Sequence, residues 1–268
     1  MTTSLTGHDG MRVQVIKGDA GMSASRLELP SPNSEVLDGI IWGRHDCLFT
    51  PAYWAAQAWH YSKELAVTQL RLGTTLIEEV AACLLGGHGM PSETGFAAFN
   101  AVKRAGLLLG ASPTQAEIES VLSRPLAVNE RIVHYRFWRQ RSRYLASAIR
   151  ELHGLQLRER PHQQFRDALT NIDGIGPKTA SWITRNWLDS DEVAVLDVHI
   201  LRAGEIIGLF DSQANISRDY GYLEGRFLKF ADAISVRTSR LDALIWRQMK
   251  FAGVIGLRMK SLSLRPMF

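Results

Sequence analysis

A chain of 268 residues, 46% hydrophobic and 22% charged, is ordinary for a soluble globular protein and long enough to bury a core as one large domain or two small ones. No apolar run approaches the ~20 residues a membrane helix needs, and Met1 to Gly10 has neither the basic start nor the apolar stretch of a secretory signal, so a cytoplasmic protein is expected. The net charge of +4 leans towards a polyanionic partner, while two distant cysteines, Cys47 and Cys83, exclude a four-cysteine iron–sulfur cluster and read as buried free thiols.

Residues 1–35 are rich in Ser, Thr, Gly and Pro and form an N-terminal extension. Alternation at Val13 and Val15 predicts a strand, with Arg26–Leu29 as its partner. The segment from Gly39 to Tyr61 is crowded with aromatic residues. Either it packs them into a core, or some, Trp42 and Trp54 foremost, line a pocket and stack on an extruded base. Thr75-x-x-Glu78 predicts a capping box ahead of a helix with apolar period to Gly86. The glycine-rich loop Gly86–Pro91 follows, with Ser92 as the cap of the next helix. Another helix starts around Ser112-Pro113-x-Gln115 and runs through Leu122.

The stretch from Arg131 to Arg150 contains no acidic residue. Placed on a helix, Arg136, Arg139, Arg143 and Arg150 form one stripe, opposite Trp138, Leu145, Ile149 and Leu152. An arginine stripe without compensating acids fits contacts to nucleic-acid phosphates. Beyond it, Pro161 to Asn171 predicts a helix that enters the most informative part of the chain.

That part is Ile172-Asp173-Gly174-Ile175-Gly176-Pro177-Lys178. Two glycines supply a tight turn, and Pro177 suits the first position of a new helix. A glycine turn feeding a helix N-terminus aims free N–H groups outward and can hold a phosphate, with the amides of Gly174, Gly176 and Lys178 as donors. Downstream, Asp197 precedes the apolar-periodic Ile200, Leu201 and Ile207 and is a candidate N-cap. Two further helical patterns follow, around Tyr222–Ile234 and Leu241–Phe251, the latter opened by Ser239-x-x-Asp242.

The pattern Leu169-x-x-Ile172-x-Gly174-Ile175-Gly176-x-Lys178-x-Ala180, followed by Leu196-Asp197-x-His199-Ile200, resembles the helix-hairpin-helix DNA glycosylases of the endonuclease III and 8-oxoguanine glycosylase superfamily. It is nearest to the small cluster-free 8-oxoguanine glycosylases. The resemblance implies an all-α fold of two helical subdomains with an active-site cleft between them, here with short N-terminal strands. Residues 36–72 and 192–268 would form the subdomain carrying Asp197, and residues 73–191 the one carrying the hairpin and Lys178. It also implies catalysis by Lys178 and Asp197 on a base flipped from duplex DNA. The amine would capture the sugar, and β-elimination would nick the strand. The helix N-terminus and partial burial both favour the neutral amine that such capture needs. Asp197 would stabilise positive charge on the sugar and shuttle protons.

Gly174, Gly176, Arg136, Arg139, Arg143 and His199 are candidate DNA contacts, although for His199 the reading as a hydrogen-bonded structural histidine comes first. His88 or Met90, in the loop after the first capped helix, would be the wedge that enters the base stack, or else the loop is an ordinary connection. No cofactor, metal or iron–sulfur cluster is required; the resemblance allows a monovalent cation, K+ or Na+, at the hairpin. The partner would be double-stranded DNA bearing a modified base, bound by a monomer, nucleoid-associated if the protein is bacterial. 8-Oxoguanine is the first substrate implied; other modified bases, including hypermodified bases of foreign DNA, are the alternative. A reading from another class is a hairpin module that binds DNA without chemistry.

Overall fold

The structure is a computed structural model that describes residues 4–6, 13–18, 26–67, 69–87, 89–154 and 161–263. The chain opens on short strands. β1 (Ser4–Thr6) pairs with β2 (Val13–Lys17), which pairs on its other edge with β3 (Arg26–Leu29), all antiparallel. Gln14 is buried in this sheet, yet fully engaged. Its amide donates to the carbonyls of Pro30 (3.0 Å) and Gly43 (2.9 Å), and its oxygen accepts from the His45 N–H (2.8 Å). A hairpin of β4 (Glu35–Leu37) and β5 (Ile40–Ile41) leads to α1 (Pro51–His60) and α2 (Ser62–Val67). The start of α1 follows from local chemistry: Pro51 opens the helix and the Thr50 hydroxyl accepts from the Tyr53 N–H at 3.0 Å.

The next helices are α3 (Leu76–Gly86), α4 (Ser92–Arg104) and α5 (Gln115–Leu122). Their caps differ from the predicted ones. Thr75 accepts from the Glu78 N–H (3.2 Å), but Glu78 does not return the bond; its carboxylate takes the Thr74 N–H and hydroxyl and the Lys103 ammonium (2.8 Å). Ser92 is the first helical residue of α4 rather than its cap, and Pro91 stands in the cap position. At α5 the capping box belongs to Thr114 and Glu117, two residues on from Ser112.

After α5 the structure departs from the predicted helix. β6 (Leu126–Val128) and β7 (Arg131–Val133) form a hairpin, turned by Asn129 and Glu130 with φ of 45° and 62°. Two consecutive left-handed residues match the twist of a two-residue hairpin turn, and asparagine tolerates them well. The remaining helices are α6 (Trp138–Gly154), α7 (His162–Leu169), α8 (Pro177–Leu188), α9 (Val198–Ile206), α10 (Ile216–Ala233) and α11 (Thr238–Ser263). The fold is thus mostly helical, with short antiparallel strands. Ser239 does not open α11 through Asp242; the Asp191 carboxylate accepts from the Ser239 N–H at 2.9 Å and pairs with Arg237. Burial raises the Asp191 pKa, but these N–H and guanidinium contacts outweigh it and hold the carboxyl below its ordinary range.

Two compact units result: Met1–Gln69 with Asp191–Phe268, and Leu70–Ser190. The second unit is built around α3, whose residues Val80 to Leu85 are all buried against α4, α6 and α8. Each fully buried leucine there, Leu84, Leu85, Leu122, Leu145 or Leu169, contributes about 1.5–3 kcal/mol. The Glu79 carboxylate is fully buried within this core. It accepts from Leu72 N–H (2.7 Å), Gly73 N–H (3.0 Å) and the Asn186 amide (2.8 Å), and Asn186 in turn accepts from Arg185. Asn186 is therefore a structural residue that ties the entry of the unit to α8.

The first unit packs α1, α9 and α10 on α11 around Trp54, Phe227, Phe230, Leu241 and Met249. Trp42 and Trp54 are core residues here, 6% and 0% exposed, and Phe49 stacks on Trp54 at 5.7 Å. They offer no face to a base, so the packing alternative holds for these two residues, while Tyr53 and Tyr61 of the same segment line an open cavity with Arg247 and Phe251. Cys83 is buried as expected, but Cys47 is exposed because the turn it occupies precedes α1 on the surface.

Candidate functional site

In the second unit, α7 and α8 are joined by a hairpin whose apolar residues point down and whose glycines point out. Ile172 and Ile175 are 2% and 3% exposed, and the Ile175 N–H donates to the Ile172 carbonyl at 3.0 Å. Gly174, between them, is exposed with φ of 85°. A Cβ at this position would fall within the Tyr144 ring of α6, closer than any nonbonded contact allows. Glycine is thus required both by the backbone and by the helix behind it. Gly174→Ala is expected to lower stability by about 2–4 kcal/mol, combining left-handed strain with overpacking, as read by chemical denaturation.

Gly176 is the N-cap of α8, extended at φ −82° and ψ 175°, with no side-chain cap, and Pro177 opens the helix. The first N–H groups of a helix have no partner within it, and here no capping side chain covers them. Lys178 follows, half-buried, on a helix anchored by the fully buried Ala180 and Ile183. The scaffold under the lysine is therefore rigid.

Beside this hairpin, α6 carries the basic stripe. Arg139, Arg143 and Arg150 are exposed on it, opposite the buried Leu145, Ile149 and Leu152. Arg136 is also exposed but lies ahead of the helix, in the link from β7. Three of these guanidinium groups rest on rings rather than acids: Arg136 on Phe137 (5.1 Å), Arg139 on Trp138 (4.6 Å) and Arg143 on Tyr144 (5.1 Å). Tyr144 is the residue that meets Gly174, so stripe and hairpin share one surface.

The loop after α3 packs on the start of α6. A Cβ at Gly87 would touch the Arg141 guanidinium (3.2 Å), and one at Gly89 the Phe137 ring (3.4 Å). His88 lies outside the described residues. Met90 is half-buried against the core of the unit and does not project as a wedge. Phe137 stands in Arg136-Phe-Trp-Arg139, where basic and aromatic residues interleave, a signal legible in the sequence.

In the first unit, Asp197 caps α9 as expected. Its Oδ1 accepts from the N–H groups of His199 (2.8 Å) and Ile200 (3.2 Å), and the residue is 8% exposed. The His199 ring stands edge-on to Trp246 of α11, 6.5 Å between centroids. Trp246 is 39% exposed and lies 4.9 Å from the Lys250 ammonium. It is a partly exposed aromatic residue beside His199, with the Lys250 ammonium over its ring. Its position was legible, because Leu241, Leu244, Ile245 and Met249 fill the buried face of α11 and leave residue 246 outside it.

A family model for 8-oxoguanine DNA glycosylase matches residues 68–236, more than half of the chain. The chain belongs to that family. The match includes the hairpin, Lys178, Asp197, His199 and the arginine stripe, and leaves Trp246 outside. An 8-oxoguanine DNA glycosylase/AP lyase of Sulfurisphaera tokodaii is 26% identical over 137 residues, which span 48% of this chain and 66% of that protein. The fold is shared with the 8-oxoguanine DNA glycosylase of Thermotoga maritima, at TM-score 0.58 and 21% identity over 75% of this chain and 95% of that one. It is shared likewise with the Methanocaldococcus jannaschii enzyme (TM-score 0.58, 20% identity, 77% and 97% covered). The same enzyme solved with a 15mer DNA containing 8-oxoguanine aligns at TM-score 0.51 and 21% identity, covering 75% of this chain and 89% of that one. Among the described residues no cluster of three or more His, Cys, Asp or Glu could hold a metal ion, and no helix is long and apolar enough to cross a membrane.

Proposed function

We propose that this protein is a DNA glycosylase with AP lyase activity, acting on a modified base extruded from duplex DNA, with 8-oxoguanine as the first substrate. The observation that carries this reading is the hairpin without a side-chain cap: a Gly174-Ile-Gly176-Pro177 turn, its glycines exposed, that places Lys178 in the first turn of α8, in a chain of this family. The hairpin amides would take a phosphate of the lesion strand. The Lys178 amine would attack the sugar carbon as the base leaves, giving a Schiff base that β-elimination resolves with a strand break. Asp197 would stabilise the positive charge that develops on the sugar. Trp246, beside His199, would stack on the extruded base. A Cβ at Gly176 would meet nothing within 4 Å, so the bend is open enough for a K+ or Na+ ion against its carbonyls; no step runs through that ion. The protein would act as a monomer.

A second substrate class is favoured by one observation. Trp246 and Lys250 lie beyond residue 236, outside the residues that the family model matches, so that match does not speak for the base they would face. A panel of duplexes bearing different modified bases, read as strand cleavage with and without alkali, decides between 8-oxoguanine and another base. Binding that weakens with salt but releases no base from any duplex would leave only a binding module.

The arginine stripe makes a separate prediction. If Arg139 and Arg143 each neutralise a phosphate, the double variant Arg139→Ala with Arg143→Ala lowers the slope of log K against log salt by about 2. Fluorescence anisotropy across a salt series measures it, and an unchanged slope removes the stripe from the interface.

A further inference from the structure

Asp197 is oriented from two sides. On its C-terminal side the first amides of α9 bind its carboxylate. On its N-terminal side runs the extended segment Val193–Leu196, in which Val193, Ala194 and Leu196 are at most 1% exposed. Extended backbone this deeply buried needs partners for its N–H and C=O groups, and among the described residues no strand supplies them. Side chains do so instead. The Tyr220 hydroxyl donates to the Ala194 carbonyl (2.7 Å) and accepts from the Leu196 N–H (3.3 Å). Glu224, one turn further along α10, accepts from the Ala194 N–H (3.0 Å), and Asp242 of α11 accepts from the Val195 N–H (2.9 Å). Tyr220 is 6% and Glu224 4% exposed.

The helix that presents Tyr220 is itself bent for the purpose. Asp219 has non-helical φ −110° and ψ 16°, a kink directly before the tyrosine. The Asp219 carboxylate pairs with Arg218 and accepts from the Asn215 N–H (3.0 Å). The Arg218 hydrogen bond first, then that amide, lower its pKa to about 2, so the tie persists through neutral pH.

We propose that Tyr220, supported by Glu224, is a positioning residue for Asp197: it replaces the missing strand neighbour of residues 194–196 and so fixes where the carboxylate stands during base release. The proposal rests on the glycosylase reading and deepens it. Tyr220→Phe keeps the ring and removes both hydrogen bonds. A carboxylate displaced by a fraction of an ångström to an ångström loses transition-state stabilisation, so single-turnover base release is expected to slow by about 10- to 100-fold. Borohydride trapping on a preformed abasic duplex, which needs the Lys178 amine and no departing base, is expected to stay within about threefold of the parent. Hydrogen exchange should rise at residues 194–200 and not elsewhere.

Unchanged base release in Tyr220→Phe overturns the proposal. So does a parallel fall of both activities with exchange rising along the whole chain, because that marks a structural role alone. A parent protein that releases no base from any duplex fails the glycosylase reading itself, and is told apart because the parent is then inactive before any substitution.

Discussion

A Lys178→Gln variant is expected to form no borohydride-stable adduct with lesion-bearing duplex and to nick it slower by on the order of 10³-fold or more. Glutamine fills nearly the same volume and keeps a polar end, but its amide nitrogen is not a nucleophile and cannot form a Schiff base. Lys178 is half-buried in the first turn of a helix whose fold rests on Ala180 and Ile183, so the exchange should change stability by less than about 0.5 kcal/mol. DNA affinity should fall only slightly, because the hairpin amides and the arginine stripe are untouched. Gel assays of trapping and cleavage, with anisotropy as the binding control, separate these effects. Loss of binding together with loss of cleavage would mean that Lys178 serves as a phosphate contact and not as the nucleophile.

The second large effect is expected at Asp197. Asparagine caps a helix about as well as aspartate, so Asp197→Asn keeps the bonds to the His199 and Ile200 N–H groups while removing the negative charge. What remains of the stability cost is the lost attraction between a carboxylate and the helix N-terminus, about 0.3–1 kcal/mol. Base release should fall by about 10²- to 10³-fold, the cost of removing one charge-stabilising group from a reacting centre. Trapping on a preformed abasic duplex should fall by less than about tenfold, since there the glycosidic bond is already gone. The variant therefore separates chemistry from folding, which Asp197→Ala would not. Base release at the parent rate would leave Asp197 as a cap and nothing more.

The elements that deliver these two residues were readable in the sequence because their signals are local. Glycines at 174 and 176, a proline at 177 and an aspartate ahead of an apolar period each fix a turn, a first helical residue or a cap by themselves. Gln14 shows how β2 is legible, because the valines on either side of it set the alternation, whereas the short β1, β4 and β5 carry no such pattern. The β6–β7 hairpin was not found, because its turn is Asn129-Glu130, and glutamate gives no hint of a left-handed conformation that the surrounding fold imposes. The aromatic residues divided the same way. Nothing near Trp42 and Trp54 in the chain says that α11 and the loop before α1 will cover them, and only the packed structure puts both in the core and leaves Trp246 half open. The clamp of Tyr220 and Glu224 on residues 194–196 joins segments that are distant in sequence through single hydrogen bonds, and no periodicity records it.

The capture of the sugar by one particular amine can be measured directly. The parent protein is incubated with an 8-oxoguanine duplex and borohydride, digested, and the peptide bearing the reduced nucleotide is sequenced by mass spectrometry. The adduct is expected on Lys178 alone. Base release accompanied by an adduct on any other lysine or on the N-terminal amine, or by none, would contradict it.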